Sequence, residues 1–432
     1  MRIGICGLGT VGSGLYNLFA TNKNEIARKV NQDFDLVQVG CRRDHPDCDL
    51  STTNVTRDIF EVARNPDVDV LVELIGGTDI AKDLVLDAIS HGKHIVTANK
   101  ALIALHGNEV FAAAEKKRVS VRYEAAIAGG IPIVKSIREG LAGNRIEWIA
   151  GIINGTSNFI LTEMSREGSN RSFGDVLKEA QDLGYAEADP TFDVEGIDAA
   201  HKLTILASIA FGIPLSFDAI YTEGISAITA DDILFADELG YCIKHLGIAR
   251  RTQNAVELRV HPALVSKDEM LAQVNGVMNS VMVGSDAAGA TMYYGAGAGA
   301  GPTASAVMAD IVDMVRSESA YKESAHSISM PNLGFTSLIS AEVLPIGAIS
   351  SSYYLRLGVI DRAGVMADVS TILSNHGVSI EVLVQKDARL RDAQIVIVTN
   401  EVLESEMNRV ITELESLDAV TSAVSRIRVS AF

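Results

Sequence analysis

The sequence predicts an α/β chain in three parts: a doubly wound domain on a parallel sheet, an α+β domain, and a small ferredoxin-like module. Three observations carry this. Up to about residue 132, short apolar runs alternate with amphipathic stretches, the pattern of strands linked by crossover helices. From about 133 to 300 that alternation is lost, and longer strands mix with helices. From 353, six runs follow in the order strand, helix, strand, strand, helix, strand, which is the βαββαβ pattern of a ferredoxin-like unit.

Residues 3–7, IGICG, are an apolar strand closed by glycine. Val11, Leu15, Leu18 and Phe19 then share one helical face. Strands are expected at 34–43, 68–77 and 93–100, with helices at 81–92 and 108–118. The second part carries strands at 147–154 and 255–265 and helices near 173–183 and 199–212, and ELGYCIKHLG at 238–247 reads as helix-like. A glycine-rich turn at 293–301 opens an amphipathic helix. The expected limits are 1–132 for the first domain, completed by a helix at 303–317; then 133–302; a linker at 318–350 with Ser, Pro and Gly; and the module at 351–432.

Lys and Arg number 37 against 55 Asp and Glu, a net charge of −18. Such a surface repels phosphate backbones, and no Lys/Arg run is long enough to offset it, so no nucleic-acid partner is expected. Four cysteines, Cys6, Cys41, Cys48 and Cys242, match neither a zinc spacing nor a disulfide framework. They indicate a reducing compartment. The opening MRIGICGLG enters a strand directly, without the regions of a signal peptide. The longest apolar helical stretch, 203–215, is shorter than the about 20 residues a bilayer requires. A cytoplasmic chain with no membrane partner is expected.

Gly7-Leu8-Gly9-Thr10-Val11-Gly12 follows the first strand and opens the first helix. The three glycines meet separate needs. Gly7 allows a tight turn, Gly9 the close approach of a pyrophosphate, and Gly12 close helix–strand packing. The helix N-terminus adds amides and the positive end of its dipole. This context marks a Rossmann-type dinucleotide site. At the end of the second strand, where NAD sites carry an acid for the ribose 2′-hydroxyl, this chain has Arg42 and Arg43, with Asp44 only after them. Two arginines suit a 2′-phosphate, so NADP is favoured, with NAD left open.

Nicotinamide chemistry needs a group that gives or takes a proton as the hydride moves. Lys100, in TANKALIALHG, follows a strand and fits, although a turn lysine is commonly just solvated. The run GYAEADPTFDVEGIDAAHKL, residues 184–203, packs Glu187, Asp189, Asp193, Glu195 and Asp198 into twelve positions and ends with Lys202. Its spacing does not match a calcium loop. Asp198 and Lys202 stand four apart on one helical face. A lysine held beside a carboxylate stays charged and can polarise a carbonyl; the plainer reading is a surface ion pair. Glu187 or Asp198 could hold an ammonium group, while Asp189 and Asp193 suit turn or cap positions. Glu124 precedes a glycine-rich turn in YEAAIAGGIPIV whose carbonyls could hold a monovalent cation or simply make the turn.

In order along the chain, GLGTVG, TANKA, EAAIAGGIPI, NGTSNFIL, AQDLGYAEADPTFDVEGIDAAHKL and GAGAGAGPTASAV together resemble the homoserine dehydrogenase family, from residue 3 to about 317. The resemblance implies NAD(P)H-dependent reduction of L-aspartate 4-semialdehyde to L-homoserine, on the route to threonine, isoleucine and methionine. It implies that Lys202 is the acid/base, with Asp198 beside it and Asp193 in support. Glu187 would hold the substrate ammonium, and Gly184 would line the same pocket. Lys100 would stand between nicotinamide and substrate, Thr78 and Thr97 would lie along the cofactor, and Gly299 would approach it. Glu124 with the carbonyls of Ile127, Gly129 and Ile131 would bind a sodium-like cation. A homodimer or homotetramer is implied. The tail, DRAGVMADVSTILSNHGVSIEVLVQ, resembles an ACT domain, a small-molecule regulatory module. Asp361, Arg362, Gly364 and Val365 form its first loop, followed by Asn375 and Gly377, and threonine is the expected effector. Its loop has Ala363 where many relatives have proline. An aspartate-semialdehyde dehydrogenase on the same scaffold would need a cysteine nucleophile, and none of the four cysteines stands in a convincing site. A non-catalytic sensor would not need Lys100, Glu187, Asp198 and Lys202 together.

Overall fold

The computed structural model describes residues 1–30, 34–166, 171–323, 332–386 and 393–430. The chain begins with β1 (Arg2–Cys6), α1 (Thr10–Val30), β2 (Asp35–Gly40), β3 (Asn54–Thr56), α2 (Ile59–Arg64), β4 (Val70–Glu73), α3 (Asp79–Ser90), β5 (His94–Thr97), α4 (Lys100–Lys117) and β6 (Val121–Arg122). These strands form one six-stranded sheet in the order β3-β2-β1-β4-β5-β6. Every pairing in it is parallel. All four residues of β4 are buried, because helices cover both faces of a parallel sheet and remove the usual alternation. Strand order reverses between β1 and β4, the point where such sheets take a ligand.

Next come α5 (Ile133–Lys135), β7 (Ile146–Ile152), α6 (Gly155–Met164), α7 (Phe173–Asp182), α8 (Thr191–Val194), α9 (Ile197–Phe211), β8 (Tyr221–Thr222), α10 (Ala230–Glu238), β9 (Tyr241–Arg251), β10 (Ala255–Ser266), β11 (Met278–Ser285), β12 (Gly289–Ala296) and α11 (Ala300–Glu323). The tail holds β13 (Glu342–Val343), β14 (Ser350–Val359), α12 (Val365–Asn375), β15 (Ile380–Lys386), β16 (Ala393–Thr399), β17 (Val402–Leu403), α13 (Glu404–Glu415) and β18 (Ser425–Val429). The helix-like reading of 238–247 is corrected: Tyr241 to Arg251 is a strand, paired residue for residue with β10. Gly240, at φ 83°, stops α10, and the long antiparallel partner then overrides local helix preference. The β11–β12 hairpin was not legible, because its second strand is rich in glycine and alanine.

The chain forms two compact units. One comprises Met1–Ile149, Ala200–Asp218 and Met278–Ala341; the other Ala150–Ala199, Ala219–Val277 and Glu342 onward. The division passes through β7 and α9 and not through the limits expected at 132/133 and 350/351. In the first unit, Ala304, Val307 and Ile311 of α11 are fully buried in one core with Ile3, Leu15 and Val39. Gly14 makes that packing possible, since a Cβ there would lie 2.6 Å from the Ala300 carbonyl oxygen.

In the second unit the sheet runs β9-β10-β18-β14-β16-β15. The tail is therefore not a separate bead after a linker. Its strand β18 pairs in parallel with β10, Ala263 opposite Arg428 and Leu264 opposite Val429, which covers an edge that would otherwise be open. The expected linker contains the end of α11 and β13, itself paired with β10, and residues 324–331 of it lie outside the described residues. Arg428, 1% exposed, donates to Glu404 at 2.9 and 2.5 Å and to Glu223 at 2.8 Å. Arg356 of β14 donates to the buried Asp232 of α10 at 2.7 Å.

Arg428→Met removes the cation from between these carboxylates. A fall of about 3 kcal/mol in unfolding free energy is expected, the lower end of the range for breaking a buried pair because Arg426 also reaches Glu404; urea unfolding measures it.

Candidate active site

The dinucleotide turn is built as its glycines require. Gly7 takes φ 101°, and a Cβ there would lie 2.4 Å from the Leu74 carbonyl oxygen. A Cβ on Gly12 would lie 2.1 Å from the Gly7 carbonyl oxygen, whereas nothing lies within 4 Å of one on Gly9. Gly9 is thus the open floor onto which a diphosphate fits, beside Thr10 and Val11 at the start of α1. Leu8 is buried in the core. Past the end of β2, Arg42 and Arg43 are both exposed. Asp44 is occupied by Arg57, which donates to it at 2.8 Å. Asp44 itself remains exposed beside the two arginines.

Thr78 is the N-cap residue of α3. Thr97 is fully buried, and its hydroxyl donates to Glu73 at 2.5 Å, so it offers a ligand only its main chain. Lys100 occupies the first position of α4 behind its cap Asn99, whose side-chain oxygen accepts from Leu102 N–H at 3.1 Å. A cation there opposes the helix dipole, so helix stability does not account for it. Gly299, at φ 120°, ends the glycine-rich turn before α11. Glu73 was missed by the sequence reading, because one acid closing an apolar strand carries no spacing signal.

The Glu124 loop is tightly specified. Ala128 and Gly129 both take left-handed φ, 50° and 49°, and a Cβ on Gly129 would meet the Gly297 carbonyl oxygen at 2.5 Å. Ile127 and Ile131 are buried. The Glu124 carboxylate accepts from Val134 N–H and Lys135 N–H, each at 2.9 Å, so it caps α5. Burial raises its pKa to about 7 against those bonds. Its own N–H donates to Asp310 at 2.8 Å. The Glu124 side chain thus accepts from two amides, and of the loop's carbonyls that of Ile131 accepts from Ile133 N–H at 2.8 Å.

The acid run divides by environment. Glu187 is exposed, next to Gly184 at φ 74° and also exposed. Asp189 accepts from Thr191 N–H at 3.1 Å, an Asx turn. Glu195 accepts from Ser226 at 2.7 Å. Asp193 and Asp198 are joined by Asn154, whose amide nitrogen donates to each at 2.8 Å while its oxygen accepts from Ser157 N–H at 2.7 Å. Asn154 caps α6 and was also missed, because a residue thirty-nine positions from its partner gives no local sign. Asp198 is 4% exposed, and Lys202, one turn on along α9, is 8% exposed. The surface ion pair is therefore overturned: both charges are out of water. Among the described residues no cluster of three metal-ligating side chains occurs.

In the tail, Asp361 and Gly364 lie on an exposed loop, with Gly364 at φ 100° capping α12. Val365 is in the core of the module. Asn375 ends the same helix, about 15 Å away at 1.5 Å per residue. These four residues do not form one site within a single module.

Asn154→Ala removes the cap of α6 and the donor that Asp193 and Asp198 share, so its unfolding free energy should fall by about 2–4 kcal/mol; urea unfolding measures it. Glu124 has a folded pKa above its ordinary 4.5, so its contribution to stability is fully present below 4.5 and lost as pH rises towards 7. Glu124→Gln should flatten that part of the stability profile, read by unfolding at stepped pH.

Profiles of known families match this chain in three places. That described as homoserine dehydrogenase, NAD binding domain, covers residues 7–124. That described as homoserine dehydrogenase covers 132–312, and an ACT domain covers 353–419. A homoserine dehydrogenase of Pseudomonas aeruginosa is 58% identical over 99% of this chain and 98% of its own length. One of Neisseria gonorrhoeae is 50% identical over 99% and 98%. The crystal structure of a homoserine dehydrogenase from Thiobacillus denitrificans superposes with a TM-score of 0.93 at 50% identity, covering 100% of this chain and 98% of that one. A hyperthermophilic archaeal homoserine dehydrogenase, in complex with NADPH, matches 72% of this chain and 96% of its own at 26% identity and a TM-score of 0.61. The chain belongs to the homoserine dehydrogenase family of NAD(P)-dependent oxidoreductases and carries a C-terminal ACT domain.

Proposed function

We propose that this chain reduces L-aspartate 4-semialdehyde to L-homoserine in the cytoplasm, with NADPH preferred over NADH, and that threonine restrains it through the ACT domain. The observation that carries the chemistry is Lys202, buried one turn beyond the buried Asp198 on α9. Arg42 and Arg43 would hold the 2′-phosphate. Gly7 to Gly12 would hold the diphosphate, with Thr78, Thr97 and Gly299 along the rest of the cofactor. When bound, the reduced nicotinamide supplies a hydride. Lys202 gives its proton to the aldehyde oxygen as that oxygen gains charge, so hydride and proton together complete the alcohol. Asp198, fixed by Asn154 with Asp193, stands one turn before the lysine on α9 and would orient it. Glu187 and Gly184 would hold the substrate's amino end, and Lys100 would orient the carbonyl. A monovalent cation held by Glu124 with the carbonyls of Ile127, Gly129 and Ile131 would have a structural part.

Threonine would bind at the loop Asp361 to Gly364, between modules of paired chains. The exposed edge strand β15, with Val382 and Leu383 about 40% exposed, supports a homodimer or homotetramer.

Purified protein should oxidise L-homoserine faster with NADP than with NAD, and L-threonine should slow it; initial rates read both. Lys202→Ala should lower kcat by about a hundred- to ten-thousandfold while NADPH still binds. Turnover within a few-fold of the parent would remove Lys202 as the proton donor.

A further inference from the structure

Glu73 is a fully buried acid that takes no part in the hydride and proton transfers above. It closes β4, directly beside Cys6 of β1 and Thr97 of β5 in the sheet register. That is the carboxyl end of the sheet at the reversal of strand order, where α/β proteins take their ligand. One carboxylate oxygen accepts from Ile75 N–H at 2.9 Å and Gly76 N–H at 3.3 Å. The other accepts from the Thr97 hydroxyl at 2.5 Å.

The chain of bonds continues. The Thr97 oxygen accepts from Asn99 N–H at 3.0 Å, and the Asn99 amide nitrogen donates to the Gly77 carbonyl at 2.7 Å. The circuit closes on itself: from the loop after β4, through Glu73 and Thr97, to the loop after β5, and back through Asn99 to Gly77. Asn99 also caps α4, which starts at Lys100. Leu74, the next residue after Glu73, abuts Gly7 of the dinucleotide turn. Gly76 and Gly77 take φ of 69° and 73° and have no side chains with which to hold themselves. Ile75 N–H, Gly76 N–H and the Thr97 hydroxyl all donate to Glu73, and these bonds favour its carboxylate while burial pushes its pKa up. An amide in its place would set its NH2 against a donor.

We propose that Glu73 is a positioning residue for hydride transfer: its carboxylate ties the loops after β4 and β5 into one cradle, which sets Gly76 to Thr78 against the cofactor and sets Lys100 at its post. This rests on the family's use of a nicotinamide cofactor. The effect belongs to cofactor binding and turnover, with little on substrate affinity.

The test compares Glu73→Gln with Thr97→Val, which keeps shape but removes both bonds of the hydroxyl, the one to Glu73 and the one from Asn99 N–H. NADPH binding is read by fluorescence titration, and kcat and KM by steady-state assay. In both variants the NADPH Kd should rise and kcat should fall, each by about tenfold or more, while KM for L-homoserine stays within about twofold. Thr97→Ser restores the hydroxyl and should recover most of the loss. NADPH Kd and kcat both within about twofold of the parent in Thr97→Val would overturn the proposal and leave Glu73 as a purely structural acid, as would failure of Thr97→Ser to recover. If Glu73→Gln does not fold, the threonine pair decides alone. Should the unaltered chain fail to turn over L-homoserine, the functional reading falls, and the NADPH titration still decides the role of Glu73.

Discussion

A charge taken out of water must be met by hydrogen bonds or an opposite charge, and this constraint shapes the chain more than any other. Glu73, Glu124, Asp198, Lys202, Asp232 and Arg428 are all buried. Glu73, Glu124, Asp198, Asp232 and Arg428 each bond to segments distant in sequence. Glu73 joins two loops of the parallel sheet, Glu124 caps α5 with its side chain and reaches Asp310 with its amide, and Asn154 bridges Asp193 and Asp198. Arg428 and Asp232 hold the tail to the α+β part. An apolar core sets how tightly the elements pack; these groups set their register. Each is also a place where losing one partner leaves the other stranded.

The same constraint ties the ACT module to the strands before it. The ACT module shares a sheet with the strands that precede it, and Arg428 of β18 donates to Glu223, which follows β8. The Glu223 carbonyl is in turn bonded to His245 at 2.9 Å, and burial holds that histidine's pKa below its usual value. Ile225 N–H donates to the Val194 carbonyl inside the acid run at 2.8 Å. A module attached in this way is part of the folding unit, so cutting it off would uncover β10 and strand Glu223.

How much could be read beforehand depended on whether the signal was local. The glycine spacing at 7–12, the crossover pattern of the first domain and the βαββαβ order of the tail are short-range features, and they stand as expected. The joining of β18 to β10 is a long-range pairing that no window of sequence contains; the β9–β10 and β11–β12 hairpins are local, and there residue composition hid the strands. At the site, the acid run and Lys202 were visible as residue types. Their burial was not, and without it Lys202 read as a surface ion pair.

Residue type and spacing by themselves determined the nucleotide turn, the arginines past the second strand, and the i and i+4 placement of Asp198 and Lys202. Those follow from backbone geometry within a few turns of chain, where sequence distance and spatial distance are nearly the same. Tertiary structure alone decided which of five clustered acids would be buried, that Asn154 would bridge two of them, that Glu73 would tie two loops of the parallel sheet, and that the tail would complete a sheet. Desolvation and strand pairing depend on what arrives from elsewhere in the chain, and they become defined only when those distant segments meet.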